Sequence, residues 1–177
     1  KWTPDVASKV TADATYKATY TKTAKSGIKY KVEYYYEKDG KYPTTANKTD
    51  NRTGTTGEDA TVTTADKTPT GNYILDDSAA HVYSAKIAGN GSTVLKVYFK
   101  QQFTVKFVNN DGSEVSTKAD YKYEDATVTP DTPTAKNQEA GYTYTFDKWT
   151  PDVASKVTAD ATYKATYTKT PKTDVSY

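Results

Sequence analysis

KWTPDVASKVTADATYKATYTKT occupies Lys1–Thr23 and returns without a change at Lys148–Thr170. Self-similarity at a fixed period is how an array of repeated modules looks in sequence. The likeness runs past the identical stretch, because Ala24–Tyr30 (AKSGIKY) lines up with Pro171–Tyr177 (PKTDVSY). One period thus extends from Ala24 to Thr170. Residues 1–23 read as the C-terminal tail of a preceding copy, and residues 171–177 as the start of the next.

Inside the quoted stretch, Tyr163, Ala165 and Tyr167 alternate with Thr162, Lys164, Thr166 and Thr168. A two-residue period with one apolar face predicts a strand. Working outward, Ile28–Tyr36 does the same. Ile28, Tyr30, Val32, Tyr34 and Tyr36 share one face; Lys29, Lys31, Glu33 and Tyr35 share the other. Leu95–Phe99, Phe103–Phe107 and Tyr142–Phe146 repeat the pattern, which predicts sheets wetted on one side. Asp39-Gly40, Asp111-Gly112 and Gly89-Asn90-Gly91 are hairpin-turn signals. Asp76–Tyr83 and Pro151–Val157 each have room for one short helical turn.

The period itself divides. EDATVT stands at Glu58–Thr63 and again at Glu124–Thr129, each copy after an Asp-Gly turn and before a Gly that opens a Tyr strand. Two diverged copies of one small β fold are expected, residues 24–100 and 101–170. Only Lys100, Gln101 and Gln102 separate the closing strand of one from the opening strand of the other. With no Gly/Ser hinge, a stiff head-to-tail rod follows.

Composition agrees and excludes. Seventeen Tyr against Leu75 and Leu95 alone favours sheets over helical bundles. Lys and Arg number 24 and Asp and Glu 22, a net charge of +2, so no basic stripe for nucleic acid is expected. No apolar run approaches the ~20 residues of a membrane span. Cys and Met are absent, which removes thiol nucleophiles, disulfides and thiolate metal sites. No cofactor is expected.

Candidate sites are few. His81 is the single imidazole and reads as an ordinary loop residue, since metal and triad chemistry need clustered partners. Asp76-Asp77, Asn109-Asn110-Asp111 and Asp50-Asn51 lack calcium-loop spacing and read as turn chemistry. Among Tyr34, Tyr35, Tyr36, Trp2 and Trp149, alternation sends Tyr34 and Tyr36 to the core and leaves Tyr35 as the best exposed aromatic, the one candidate ligand-binding residue. Trp149, at the end of a strand beside Pro151, is expected to plug the base of its module. Asn47, Asn51 and Asn90 head Asn-X-Ser/Thr sequons that a Thr-rich chain generates by chance. Thr15–Thr21 is expected to be an orphan strand, to be held by another copy.

YKVEYYYEKDGKY with STVLKVYF resembles the mucin-binding-protein type repeat of Gram-positive surface proteins. FTVKFVNNDGSEV, YTFDKWTPDV and DATYKATY resemble the Listeria–Bacteroides, internalin B-repeat type. The resemblance implies β-grasp, ubiquitin-like modules with little helix, each a mixed sheet whose closing strand lies beside its opening one. It implies an extracellular, cell-wall-attached adhesin and no catalytic residues. Isopeptide cross-links known from Gram-positive stalks would draw on Lys31, Lys96, Lys106 or Glu33. Two roles compete: a stalk that projects a distal head, with adjacent repeat copies as partners, and a multivalent binding module for host mucin, glycan or protein. An enzyme is not expected.

Overall fold

Period-two alternation becomes strand in both modules, from Ile28–Tyr36 to Ala161–Pro171, but in Thr15–Thr21 only at Lys17–Ala18. The structure, a computed structural model, describes residues 1–173. In chain order the strands are β1 (Trp2–Thr3), β2 (Lys17–Ala18), β3 (Ile28–Tyr36), β4 (Lys48–Gly54), β5 (Asp59–Thr61) and β6 (Tyr73–Leu75). They continue with β7 (Ser84–Lys86), β8 (Val94–Gln101), β9 (Phe103–Val108), β10 (Glu114–Tyr121), β11 (Tyr142–Thr150) and β12 (Ala161–Pro171).

Two four-stranded sheets result, in the orders β4-β3-β8-β6 and β10-β9-β12-β11. Both follow one plan: second strand, first strand, last strand, then a penultimate-type strand. In each, the first and last strands pair in parallel, β3 with β8 from Lys31↔Val94 to Tyr36↔Phe99, and β9 with β12 from Ala161↔Val105 to Lys164↔Val108. The flanking pairs are antiparallel. The two EDATVT copies occupy matching places. Ala60 in β5 pairs with Ala85 in β7, and Ala126 bridges Lys156, both shortly before the closing strand. The chain is thus nearly all β, in two small sheet modules, with the connectivity the resemblance implies.

Each module packs a hydrophobic core against one face of its sheet. Ile28, Val32, Tyr34, Leu95, Val97 and Phe99 form the first core; Phe103, Val105, Phe107, Tyr121, Trp149, Val157, Tyr163 and Ala165 form the second. Burial of a large apolar side chain stabilises by about 1.5–3 kcal/mol, and aromatic rings supply much of it here. Phe107 meets Trp149 edge-on at 4.9 Å, and Phe99 stacks on Tyr36 at 5.0 Å. Asp39 and Gly40 both have positive φ, 50° and 73°, and close the two-residue turn between Lys38 and Lys41. At Gly54 the reason for glycine is space, because a Cβ there would come within 2.4 Å of the Ile87 side chain.

The helical expectations are corrected. Asp76–Ala79 closes a single turn through Ala79 N–H to Asp76 O, 2.9 Å, and the stretch after Pro151 is not helical. The helix among the described residues is instead a 3-10 turn, Ala65–Lys67, in the Thr/Pro-rich coil, anchored when Thr63 N–H donates to the Asp66 carboxylate at 2.8 Å. That side chain-to-backbone bond is local chemistry that periodicity does not report.

Residues 1–23 correct part of a further expectation, because Lys17–Ala18, within Thr15–Thr21, has a partner in its own chain. Trp2 pairs with Ala18 and Thr3 with Lys17, the register in which Trp149 pairs with Ala165 and Thr150 with Lys164. Local bonds match too. The hydroxyls of Thr19 and Thr166 donate to Lys1 O and Lys148 O, each at 2.9 Å. Ala7 N–H and Ala154 N–H donate to the Tyr16 and Tyr163 hydroxyls. Burial separates the twins. Trp2 is 51% exposed where Trp149 is 8%, and Val10 is 93% exposed where Val157 is 3%. The expected start of a next copy lies mostly outside the described residues, from 174 to 177.

Trp149→Ala should therefore cost the second module about 3–5 kcal/mol, whereas Trp2→Ala, in identical local sequence, should stay within about 0.5 kcal/mol. Chemical denaturation followed by circular dichroism compares the two directly.

Candidate functional site

Tyr35 does not stand exposed. β3 and β8 place Tyr35 beside Tyr98 and Glu33 beside Lys96 on the face away from the core. The Tyr35 and Tyr98 rings stack at 4.7 Å, and Tyr42 meets Tyr98 edge-on at 5.1 Å. The Tyr35 hydroxyl donates to Glu33 at 2.7 Å. That carboxylate, helped by burial, pushes the phenol up to about 12. Only 6% of Tyr35 is exposed, so it offers no face to a ligand. Alternation assigned it correctly to the second face; the loop around Tyr42 and the returning segment around His81 then covered that face.

Asp76 organises this cover. Its carboxylate accepts from the Ser78 hydroxyl at 2.6 Å, the Tyr42 hydroxyl at 2.7 Å and Lys100 Nζ at 3.0 Å. Burial would push the carboxyl up; these bonds outweigh it and hold it well below the usual carboxylate range. His81 sits under the same loop, stacked on Tyr83 at 4.5 Å. It is a structural residue with specific partners rather than an incidental one.

On the core side, Tyr34, Asp50, Arg52 and Asp66 form a second polar knot. Arg52 Nη1 and Nη2 donate to the two Asp66 oxygens at 2.9 and 2.6 Å, the fork geometry guanidinium favours. The Tyr34 hydroxyl lies 2.6 Å from Asp66 and 2.8 Å from Asp50. The Arg52 bonds, joined by those from Tyr34 and Thr63, hold the Asp66 carboxyl well below its ordinary range against the opposing effect of burial. Burial, then Asp66 and Asp50, push the Tyr34 phenol up.

The remaining candidates are placed plainly. Asn109 is buried: its Oδ1 accepts from Asn110 N–H and the Tyr167 hydroxyl, each at 2.8 Å, and its Nδ2 donates to Thr134 O at 2.9 Å. Asp111 accepts from Ser113. These oxygens serve turns and strand tethering. Among the described residues no three His, Asp or Glu side chains gather as a metal group. Lys31 stands opposite Asn51 on the β3–β4 pair, but both are exposed. An amide cross-link needs a neutral amine, which a dry site favours and open solvent does not. Lys106 is exposed as well, and Glu33 is engaged by Tyr35.

The joint between modules is as short as the sequence implies, and its side-chain clasp is what the sequence did not announce. Gln102 alone separates β8 from β9. Asp160 accepts from Asn72 Nδ2 at 3.0 Å and from Thr104 N–H at 2.7 Å, so one carboxylate holds both modules. The buried Glu37 accepts from Gln101 N–H at 3.0 Å. A Cβ on Gly40 would come within 3.1 Å of the Tyr123 ring, across the joint. An open groove runs alongside, lined by Tyr36, Lys38, Lys41, Tyr42, Asn47 and Tyr123.

Asp66→Asn should destabilise the first module by about 3 kcal/mol, the low end for an ion left unpaired when its buried partner is removed, since Arg52 keeps some access to water. Because the folded carboxyl is held low, its stabilisation is present above about pH 4 and lost as pH falls below it. Acid denaturation of the variant should show a correspondingly shallower loss over that range.

No family model matches the chain, and no curated protein matches it in sequence. Among solved structures, it is similar to the "Streptococcal High Identity Repeats in Tandem (SHIRT) domains 3-4 from cell surface protein". The identity is 17%, covering 82% of this chain and 99% of that one, with a TM-score of 0.29. It is also similar to "Mub-RV", at 16% identity over 81% of this chain and all of that one, with a TM-score of 0.28.

Proposed function

We propose that this chain belongs to a tandem-repeat stalk of a Gram-positive, cell-wall-attached adhesin, working outside the cell as a spacer that bears tension. The observation that carries the reading is the parallel pairing of first and last strands in both modules. Chain enters a module at one end of this pair and leaves at the other. A pull along the chain slides the two strands past each other and loads every bond between them together. A hairpin pulled from its open end would instead lose its bonds singly, in sequence. The single-residue joint and the Asp160 clasp extend the same logic from module to module. Residues 1–23, which hold the closing-segment register without the strands that bury its twin, support adjacent repeat copies as the natural partners.

The groove at the joint favours a second reading, a multivalent binding module for host mucin, glycan or protein, since three tyrosines and two lysines meet there. Weak contacts repeated along an array gain by avidity.

Two measurements separate the readings. In single-molecule pulling from the chain ends, the second module, with four parallel register pairs against six in the first, should unfold at the lower force. Trp149→Ala should weaken that event alone. Low-force unfolding of both modules would defeat the stalk. Concentration-dependent binding of mucin glycans that grows with copy number, and that Tyr36→Ala with Tyr123→Ala abolishes, would favour the second reading.

A further inference from the structure

Strand β8 has a gap on its β6 side. Leu75 pairs with Phe99, and Asp76 N–H still reaches Tyr98 O at 3.1 Å. The chain then loops away and returns at Val82, which exchanges bonds with Lys96 at 2.9 and 3.0 Å. Between these points Tyr98 N–H faces no backbone carbonyl. His81 fills the place. Tyr98 N–H donates to Nδ1 at 3.2 Å, and Nε2 lies 2.7 Å from Asp76 O.

These partners fix the ring's protonation. A carbonyl oxygen only accepts, so Nε2 carries a hydrogen. An amide N–H only donates, so Nδ1 is bare. Neutral imidazole in one tautomer does both jobs, and a second proton would set N–H against N–H. A half-buried donor left without an acceptor is penalised, because it loses its bond without full access to water.

Charged and titratable groups face the ring from several elements. Asp76, on the same loop, is already engaged by Ser78, Tyr42 and Lys100. Asp77 is exposed to solvent, and its charge reaches Tyr83, the ring stacked on His81. Tyr83 stacks on the ring and carries Lys67 Nζ over its own face at 4.1 Å. From β8 come Tyr98, edge-on at 5.7 Å, and Lys96, the pairing partner of Val82. His81 is the single histidine of the chain.

We propose that His81 is an acid-released pin: taking up a proton at Nδ1 frees the 76–82 loop from β8 and, through β6, loosens the joint between the modules. The route to the joint is short. Asn72, just before β6, accepts from Gln102 N–H at 2.8 Å and donates to Asp160 at 3.0 Å. β6 is therefore held by His81 at one end and by the joint at the other. The pin does not depend on the stalk reading, because it concerns the first module's own hydrogen bonds.

The test uses the full chain. At neutral pH, nitrogen NMR of the His81 ring should show a bare Nδ1 and a protonated Nε2; the opposite tautomer overturns the pin. Amide exchange, corrected for intrinsic rate, should show protection at Tyr98 falling about tenfold from pH 7.5 to 5.5, as loss of one hydrogen bond implies. Phe107, in the second core, should hold. His81→Asn, whose carbonyl can accept without titrating, should abolish the acid effect, and His81→Ala should lower Tyr98 protection equally at both pH values. Unchanged Tyr98 protection in acid, or an acid effect that survives His81→Asn, defeats the proposal. Protection at Gln102 should fall together with that at Tyr98. If Tyr98 responds and Gln102 does not, the coupling to the joint is wrong.

Discussion

The parallel contact between the first and last strand of each module is the constraint from which the rest follows. It brings together chain segments about 60 residues apart, so it carries the loop-closure cost of the fold. Once made, it places the second strand and the penultimate-type strand on its two free edges, and it aligns Val32 with Leu95 and Phe107 with Tyr163 on the buried faces. It also fixes polarity: entry and exit lie at opposite ends, so consecutive modules can follow one another through a single residue.

A module with this little aliphatic volume needs other means of staying closed. No disulfide is available, and two leucines serve the whole period. The first module answers with two polar knots, Tyr34–Asp50–Arg52–Asp66 and Tyr42–Asp76–Lys100, each joining segments distant in sequence. The second uses Asn109, whose side chain ties the turn after β9 to the coil at Thr134 and to Tyr167 in β12. Buried polar groups of this kind are costly unless every bond is made, so they specify one arrangement of the loops as well as stabilising it.

Strands, turns and core were legible because they rest on local rules. Ile28–Tyr36 has one reading under a two-residue period, and Asp39-Gly40 one economical turn. Trp149, at a strand end beside a proline, was legible as core. Tyr35 was not. Alternation says which side of a sheet a residue takes, but not whether a loop returns to roof that side, and the roof here depends on Tyr42 reaching Asp76 across 34 residues. His81 escaped for a related reason: its role comes from an unpaired amide on another strand, which no spacing around His81 reveals. The pairing of Trp2 with Ala18 is not legible in the alternation of Thr15–Thr21 alone, because the unit that holds its shape is the whole closing hairpin.

That last point bears on how such a chain can change over generations. The closing hairpin takes the same register, the same hydroxyl-to-carbonyl bond and the same tyrosine–amide contact at both ends of the chain, with and without a sheet to cover it. Its conformation is written in its own residues. A crossover between the coding sequences of two such copies, anywhere inside this stretch, joins the front of one module to the back of another with no mismatch in register or packing. The segment is therefore a seam at which whole units can be gained or lost while every remaining module still closes, so length becomes the heritable variable and the fold the fixed one.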